Sequence, residues 1–131
     1  METNINELNI KNYAHLGDSL WELFVREKTI YLTQNLTKLH RYTVHFVNAK
    51  FQAQVIEKLT EFLTEEEIAL VKRARNIPTS SARKIDRKLH SSATCLEVLF
   101  GYNYLHNKEE YNRLIAKCEE LIDFREVITE D

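Results

Sequence analysis

Only two glycines and one proline punctuate a chain of 131 residues. An all-β chain needs a turn about every 8 to 12 residues, and such turns draw on glycine and proline. The same scarcity speaks against glycine-rich phosphate loops. Helices are therefore the expected element, and the apolar spacing agrees. From Ile10 to Thr33, the residues Ile10, Tyr13, Ala14, Leu20, Trp21, Phe24 and Ile30 recur at steps of three, four and their sums, which predicts one long amphipathic helix. Gly17 interrupts it at a cost of about 1 kcal/mol relative to alanine, so it needs a packing reason such as the close approach of another backbone.

Five more helices follow from the same reasoning. One is expected over 39–47, and a second from an Asn48 cap to about Phe62, with Phe51, Val55, Ile56 and Leu59 facing inward. Thr64 with Glu67 forms a capping box for a helix ending near Arg75. The segment NIPTSS, 76–81, holds the only proline and three hydroxyl residues and is expected to be an exposed loop. A long helix then runs from Arg83 or Ile85 to about His106, with Leu89, Ala93, Leu96, Phe100 and Tyr104 along one stripe. Asn107 with Glu110 repeats the capping-box pattern and starts a last helix reaching about Ile128. With 44% apolar residues, these elements are expected to form a single all-α domain over 1–131.

The net charge of −2 hides a strong asymmetry. Lys72 to His90 carries seven basic residues against Asp86 alone, a local +6, which leaves −8 for the remainder. A patch of this kind can bind a polyanion, because phosphate neutralisation follows the local field; a solvated basic linker is the equally weighted alternative. Cys95 and Cys118 form neither a C-x-x-C pair nor a set with histidines at metal-ligand spacing, so a disulfide framework or zinc ribbon is not supported and a reducing, cytosolic compartment fits. No apolar run approaches the roughly 20 residues of a membrane span, and METNINELNIKN lacks the features of a signal peptide.

Most carboxylates lie in charge-rich stretches such as Glu65, Glu66 and Glu67, which read as solvated helix caps and faces. Asp18 in HLGDSLWELF and Glu97 in TCLEVLFGY differ, because bulky apolar neighbours should carry both into the core. A buried carboxylate needs a compensating cation. An arginine or lysine across the bundle is the commoner solution, and a hard divalent ion such as Mg2+ is the other, since it uses one or two carboxylates and completes its shell with water and phosphate oxygens. Glu22, one turn after Asp18, is expected to orient a neighbouring side chain rather than to bind an ion itself. The five histidines are scattered, without zinc or Ser-His-Asp spacing.

Two segments resemble the catalytic domain of ribonuclease III, and within that family the short Mini-ribonuclease III group. AHLGDSLWELFVRE, 14–27, is similar to the family's Leu-Gly-Asp helix, and ATCLEVLFGYNYL, 93–105, to its Glu-Ala-Leu-Ile-Gly helix. NAKFQAQVIEKL and FLTEEEIALVKRARN resemble the Mini-group's middle section, ending in Lys72, Arg73, Arg75 and Asn76. The resemblance covers nearly the whole chain and leaves no room for the double-stranded-RNA-binding domain of the larger enzymes. It implies the family's helical fold in a homodimer, with Asp18 and Glu97 as the metal-binding and catalytic carboxylates. The larger enzymes carry further acids at the positions of Ala14 and Thr94; the Mini-group, like this chain, lacks them.

The implied activity is Mg2+-dependent cleavage of double-stranded RNA, with Mn2+ as a substitute metal, leaving 5′-phosphate and 3′-hydroxyl ends. Lys72, Arg73, Arg75, Asn76, Arg83 and Lys84 are the expected RNA contacts along an A-form duplex. Gly17, Trp21 and Phe24 are the expected part of the dimer interface. The resemblance further implies a large-subunit (23S) ribosomal RNA precursor as substrate, an assisting ribosomal protein, no membrane, and a cytoplasmic or plastid-stroma location. A catalytically silent double-stranded-RNA-binding relative, or a helical interaction scaffold, are the alternatives; retention of both Asp18 and Glu97 speaks against the first, and the +6 segment against the second.

Overall fold

The computed structural model describes residues 8–78 and 84–130. Among the described residues there are six α-helices and no strand: α1 Ile10–Thr29, α2 Leu36–Val47, α3 Ala49–Leu59, α4 Glu65–Arg75, α5 Lys84–His106 and α6 Lys108–Leu121. Short 3-10 turns follow α3 (Thr60–Phe62) and close the chain (Glu126–Glu130). The starts are set by side-chain caps: Asn9, Asn35, Asn48, Thr64 and Asn107 each accept a backbone N–H of the first turn. Thr64 and Glu67 form the reciprocal box expected of them. Asn107 makes only its half, because the Glu110 carboxylate turns to Arg113.

Helix α5 is the axis of the fold, packed against α1, α3, α4 and α6. Its sequence suggested one apolar stripe, but burial runs around the helix through Ala93, Cys95, Leu96, Val98, Leu99, Phe100, Gly101 and Asn103. A helix apolar on all sides belongs at the centre of a bundle. Trp21 and Phe24 of α1 meet Phe100 of α5 in mutual ring contact, with the Trp21 indole N–H donating to the Phe46 carbonyl at 3.0 Å.

The ends of three elements differ from expectation. Helix α1 stops at Thr29 rather than near Thr33, and α2 begins at an Asn35 cap instead of at Leu39. Helix α6 ends at Leu121, well short of Ile128. Ile122 is extended there, and the chain turns back so that Phe124 meets Phe24 and Phe46 while Val127 is buried. A continued straight helix would leave those apolar side chains in water.

Candidate metal and nucleic-acid site

Both glycines of the chain lie where α1 crosses α5. A Cβ on Gly17 would collide with the Glu97 carbonyl oxygen, and one on Gly101 with the Tyr13 carbonyl oxygen. Neither glycine has positive φ, so each is there for room, not for backbone freedom. The close approach expected at Gly17 is thus real, and its partner is the backbone of α5 within the same chain.

This crossing brings the two singled-out acids together. Asp18 follows the contact on α1, Glu97 makes it on α5, and Asp18 is near enough to act on the Glu97 carboxyl. The core placement expected for them is corrected: Asp18 is exposed and Glu97 half-buried. The helices enter the core through Gly17, Leu20, Trp21 and the other apolar positions, and the carboxylates lie at the rim of the seam. Burial first, then the hydrogen bond and negative charge of Asp18, push the Glu97 carboxyl from an ordinary 4.5 up to about 8. Among the described residues the causes of that shift are burial and Asp18, and all of them raise it. The pair is left needing a proton or an outside cation.

A divalent cation fits these donors. Two hard carboxylate oxygens are what Mg2+ takes from a protein when water and phosphate complete its octahedron. Among the described residues no cluster of three or more His, Cys, Asp or Glu offers a fuller cage. Thr94, one turn before Glu97 on the α5 side, donates its hydroxyl to the His90 carbonyl at 2.8 Å. Glu22 is not drawn into the pair; its carboxylate holds Arg26 at 2.7 Å, one turn along α1.

The basic cluster flanks the seam. Lys72, Arg73, Arg75 and the helix-capping Asn76 end α4, all exposed, where cations also complement the helix dipole. Helix α4 runs antiparallel to α5: Glu67 meets Asn103, the Val71 carbonyl meets Cys95, and the Arg75 carbonyl meets Ser91. Arg73 lies close enough for its charge to act on the Tyr13 hydroxyl, one turn before Gly17 on α1. The positive end of α4 and the carboxylate pair therefore share one side of the bundle. Arg83 and the Lys84 side chain lie outside the described residues.

The expected interface role of Gly17, Trp21 and Phe24 is corrected. Trp21 is fully buried, Phe24 nearly so, and Gly17 is closed over by α5, all inside a single chain. Val44, Phe62, Ile68 and Leu105 are exposed to a lesser degree elsewhere, whereas the most exposed apolar side chains gather on and just after α1, at Leu23, Ile30, Tyr31 and Leu36, the last two 87% and 80% exposed. Ile30, Leu36, Leu39 and His40 rim a cavity of about 280 Å³ there.

Glu67, expected to be a solvated cap, is 4% exposed. It accepts from the Thr64 N–H at 2.8 Å, from Asn103 Nδ2 at 2.8 Å and from Arg113 at 2.6 Å. One sequence signal could have found it: Glu67 falls on the stripe of Leu70, Val71 and Ala74, the inner face of α4.

A family model described as the Ribonuclease III domain matches residues 11–108. The Mini-ribonuclease 3 of Synechocystis is 37% identical over 106 residues, covering 81% of this chain and 74% of that protein. The Mini-ribonuclease 3 of Gloeobacter violaceus is 34% identical over 116 residues, covering 88% and 86%. A crystal structure of a protein from Fusobacterium nucleatum matches with a TM-score of 0.77 at 32% identity, over 91% of this chain and 98% of that one.

Proposed function

Because the chain belongs to the ribonuclease III family, in its Mini-ribonuclease 3 group, we propose that it is a divalent-metal-dependent endoribonuclease that cuts double-stranded RNA. The observation that carries this reading is the Asp18–Glu97 pair at the α1–α5 crossing, where burial and the Asp18 charge raise the Glu97 carboxyl and a bound cation would relieve both. These two residues would hold Mg2+, or Mn2+ in its place. A cation there supplies Lewis-acid stabilisation of charge on the phosphodiester and eases deprotonation of an attacking water.

The protein's own residues do the rest. Lys72, Arg73 and Arg75 set the phosphate backbone against the seam, and Asn76 supplies an amide beside them. Arg83 and Lys84 extend the same basic stretch in sequence. Hydrolysis breaks the P–O3′ bond, placing the water oxygen on the 5′-phosphate and the proton on the 3′-oxygen. The ribose 2′-hydroxyl is not the nucleophile, so the dispersed histidines are no obstacle.

One subunit carries one carboxylate pair, whereas a duplex has two strands, so the working form is a two-fold dimer. The exposed Leu23, Ile30, Tyr31 and Leu36 are the apolar surface it would bury. A stem of the 23S ribosomal RNA precursor is the proposed substrate, with a ribosomal protein assisting recognition. Among the described residues no helix is long and apolar enough to cross a membrane, in keeping with such a substrate.

The test is incubation of a labelled precursor stem with the purified protein, Mg2+ and competing single-stranded RNA, followed by end analysis. Cuts on both strands, ligatable through their 5′-phosphates, are expected. Binding without any cleavage of duplexes of any source would favour the silent RNA-binding reading instead.

A further inference from the structure

Glu67 is the one buried charged side chain among the described residues, and the site described above does not use it. Its carboxylate joins three helices. Oε1 accepts from the Thr64 N–H at the start of α4 and from Arg113 of α6, while Oε2 accepts from the buried Asn103 of α5. Arg113 also donates to the Phe62 carbonyl at 2.9 Å and to Glu110 at 2.9 Å, which ties the turn before α4 into the same junction. Every oxygen of Glu67 is thus engaged.

Burying such a group is a poor way to gain stability, since desolvation offsets most of the attraction; its best-attested benefit is a fixed register. The α4–α5 contact needs that help. Apart from this junction, the described polar links between the two helices are a thiol-to-carbonyl contact at 3.6 Å, Cys95 to Val71, and a long hydroxyl contact at 3.4 Å, Ser91 to Arg75. The remainder is apolar packing, which is non-directional. Glu97 lies on α5 between Asn103 and Cys95, and Arg73 lies six residues beyond Glu67, about 9 Å along α4. Sliding of α4 along α5 would move the basic end relative to the carboxylate pair.

We infer that Glu67, Asn103 and Arg113 are positioning residues, which set the axial register of α4 on α5 and so fix where a bound phosphate backbone sits relative to Asp18 and Glu97. The inference rests on the proposed endoribonuclease reading. Positioning errors of about 1 Å are enough to cost up to a hundredfold in rate.

The experiment compares Asn103→Asp, Glu67→Gln and the double variant Glu67→Gln/Asn103→Asp in the full chain, with duplex RNA as probe. Asn103→Asp sets two buried carboxylates against each other; the double variant restores a donor facing an acceptor and leaves an amide oxygen for Thr64 and Arg113. Expected are a fall in kcat of roughly tenfold to a hundredfold for Asn103→Asp, KM within about twofold, a wider spread of cut positions, and recovery to within about threefold in the double variant. Val127→Ala, in the buried C-terminal turn away from α4, serves as the control for lost stability alone and keeps the wild-type rate below its melting temperature. Wild-type kcat and cut positions in folded Asn103→Asp overturn the inference, as does a double variant as slow as the single one. Should Asn103→Asp fail to fold, Glu67→Gln and the double variant carry the comparison, with wild-type rates in both again overturning it. A wild-type protein that never cuts duplex RNA defeats the underlying reading, a separate outcome.

Discussion

Replacing Asp18 with asparagine removes one negative charge from the pair while nearly preserving its shape, so it reports how much strain the metal-free site carries. Glu97 is raised from 4.5 to about 8. Its folded form therefore binds a proton that the unfolded form has released between those values, and stability falls as pH rises through that window. Below pH 4.5 the penalty is absent; above about 8 it is complete. The whole shift sets a ceiling of about 5 kcal/mol. Burial, the largest cause, persists in the variant, and the exposed Asp18 is screened by water, so the part removed is about 1–2 kcal/mol. For 131 residues that corresponds to a melting temperature about 4–7 °C higher. Thermal unfolding of wild type and Asp18→Asn in EDTA at pH 5 and pH 8.5 is the assay. The two proteins are expected to coincide at pH 5 and to separate at pH 8.5 with the variant the more stable. The reasoning is refuted if the difference is the same at both values, or if the variant is the weaker at pH 8.5.

Gly17→Ala forces a methyl into the Glu97 backbone carbonyl, which has no flexible end to yield; a loss of about 3 kcal/mol or more is expected in denaturant unfolding. Ile30→Asp with Leu36→Asp should convert a dimer to monomer in sedimentation at micromolar concentration without lowering thermal stability of the monomer, whereas Trp21→Ala should cost about 3–5 kcal/mol of folding energy. Lys72→Ala, Arg73→Ala and Arg75→Ala should each weaken duplex binding across sequences and lower the magnitude of the salt slope by about 1, read by binding titrations between low and moderate salt.

Much of the fold was legible because helix period and caps are local signals. Thr64 with Glu67 and the end at Arg75 were readable for α4, and Gly17 announced a backbone contact. Local signals fail where tertiary packing decides. Phe124 and Val127 turn back into the core because Phe24 and Phe46 wait there, and nothing in the spacing of residues 108–128 records that. The same limit governs the site. Asp18 and Glu97 stood out as acids amid apolar residues, yet their placement at the rim depends on how deeply two glycines let α1 and α5 approach. Trp21 and Phe24 were expected at an interface because they offer apolar area, and the same property suits a core; only the three-dimensional packing assigns them inward. Glu67 was lost among its neighbours Glu65 and Glu66 because charge runs read as solvated, although its phase on α4 is that of the buried stripe.

The claim at the centre is that Asp18 and Glu97 together form the hydrolytic site. It is tested most directly by cleavage of a labelled RNA duplex by wild type, Asp18→Asn and Glu97→Gln, in Mg2+ and in EDTA, with binding of the same duplex recorded alongside. Cleavage lost in both variants and in EDTA, with folding and duplex binding kept, is the predicted result. Variants that bind the duplex and still cut it at the wild-type rate would contradict the claim.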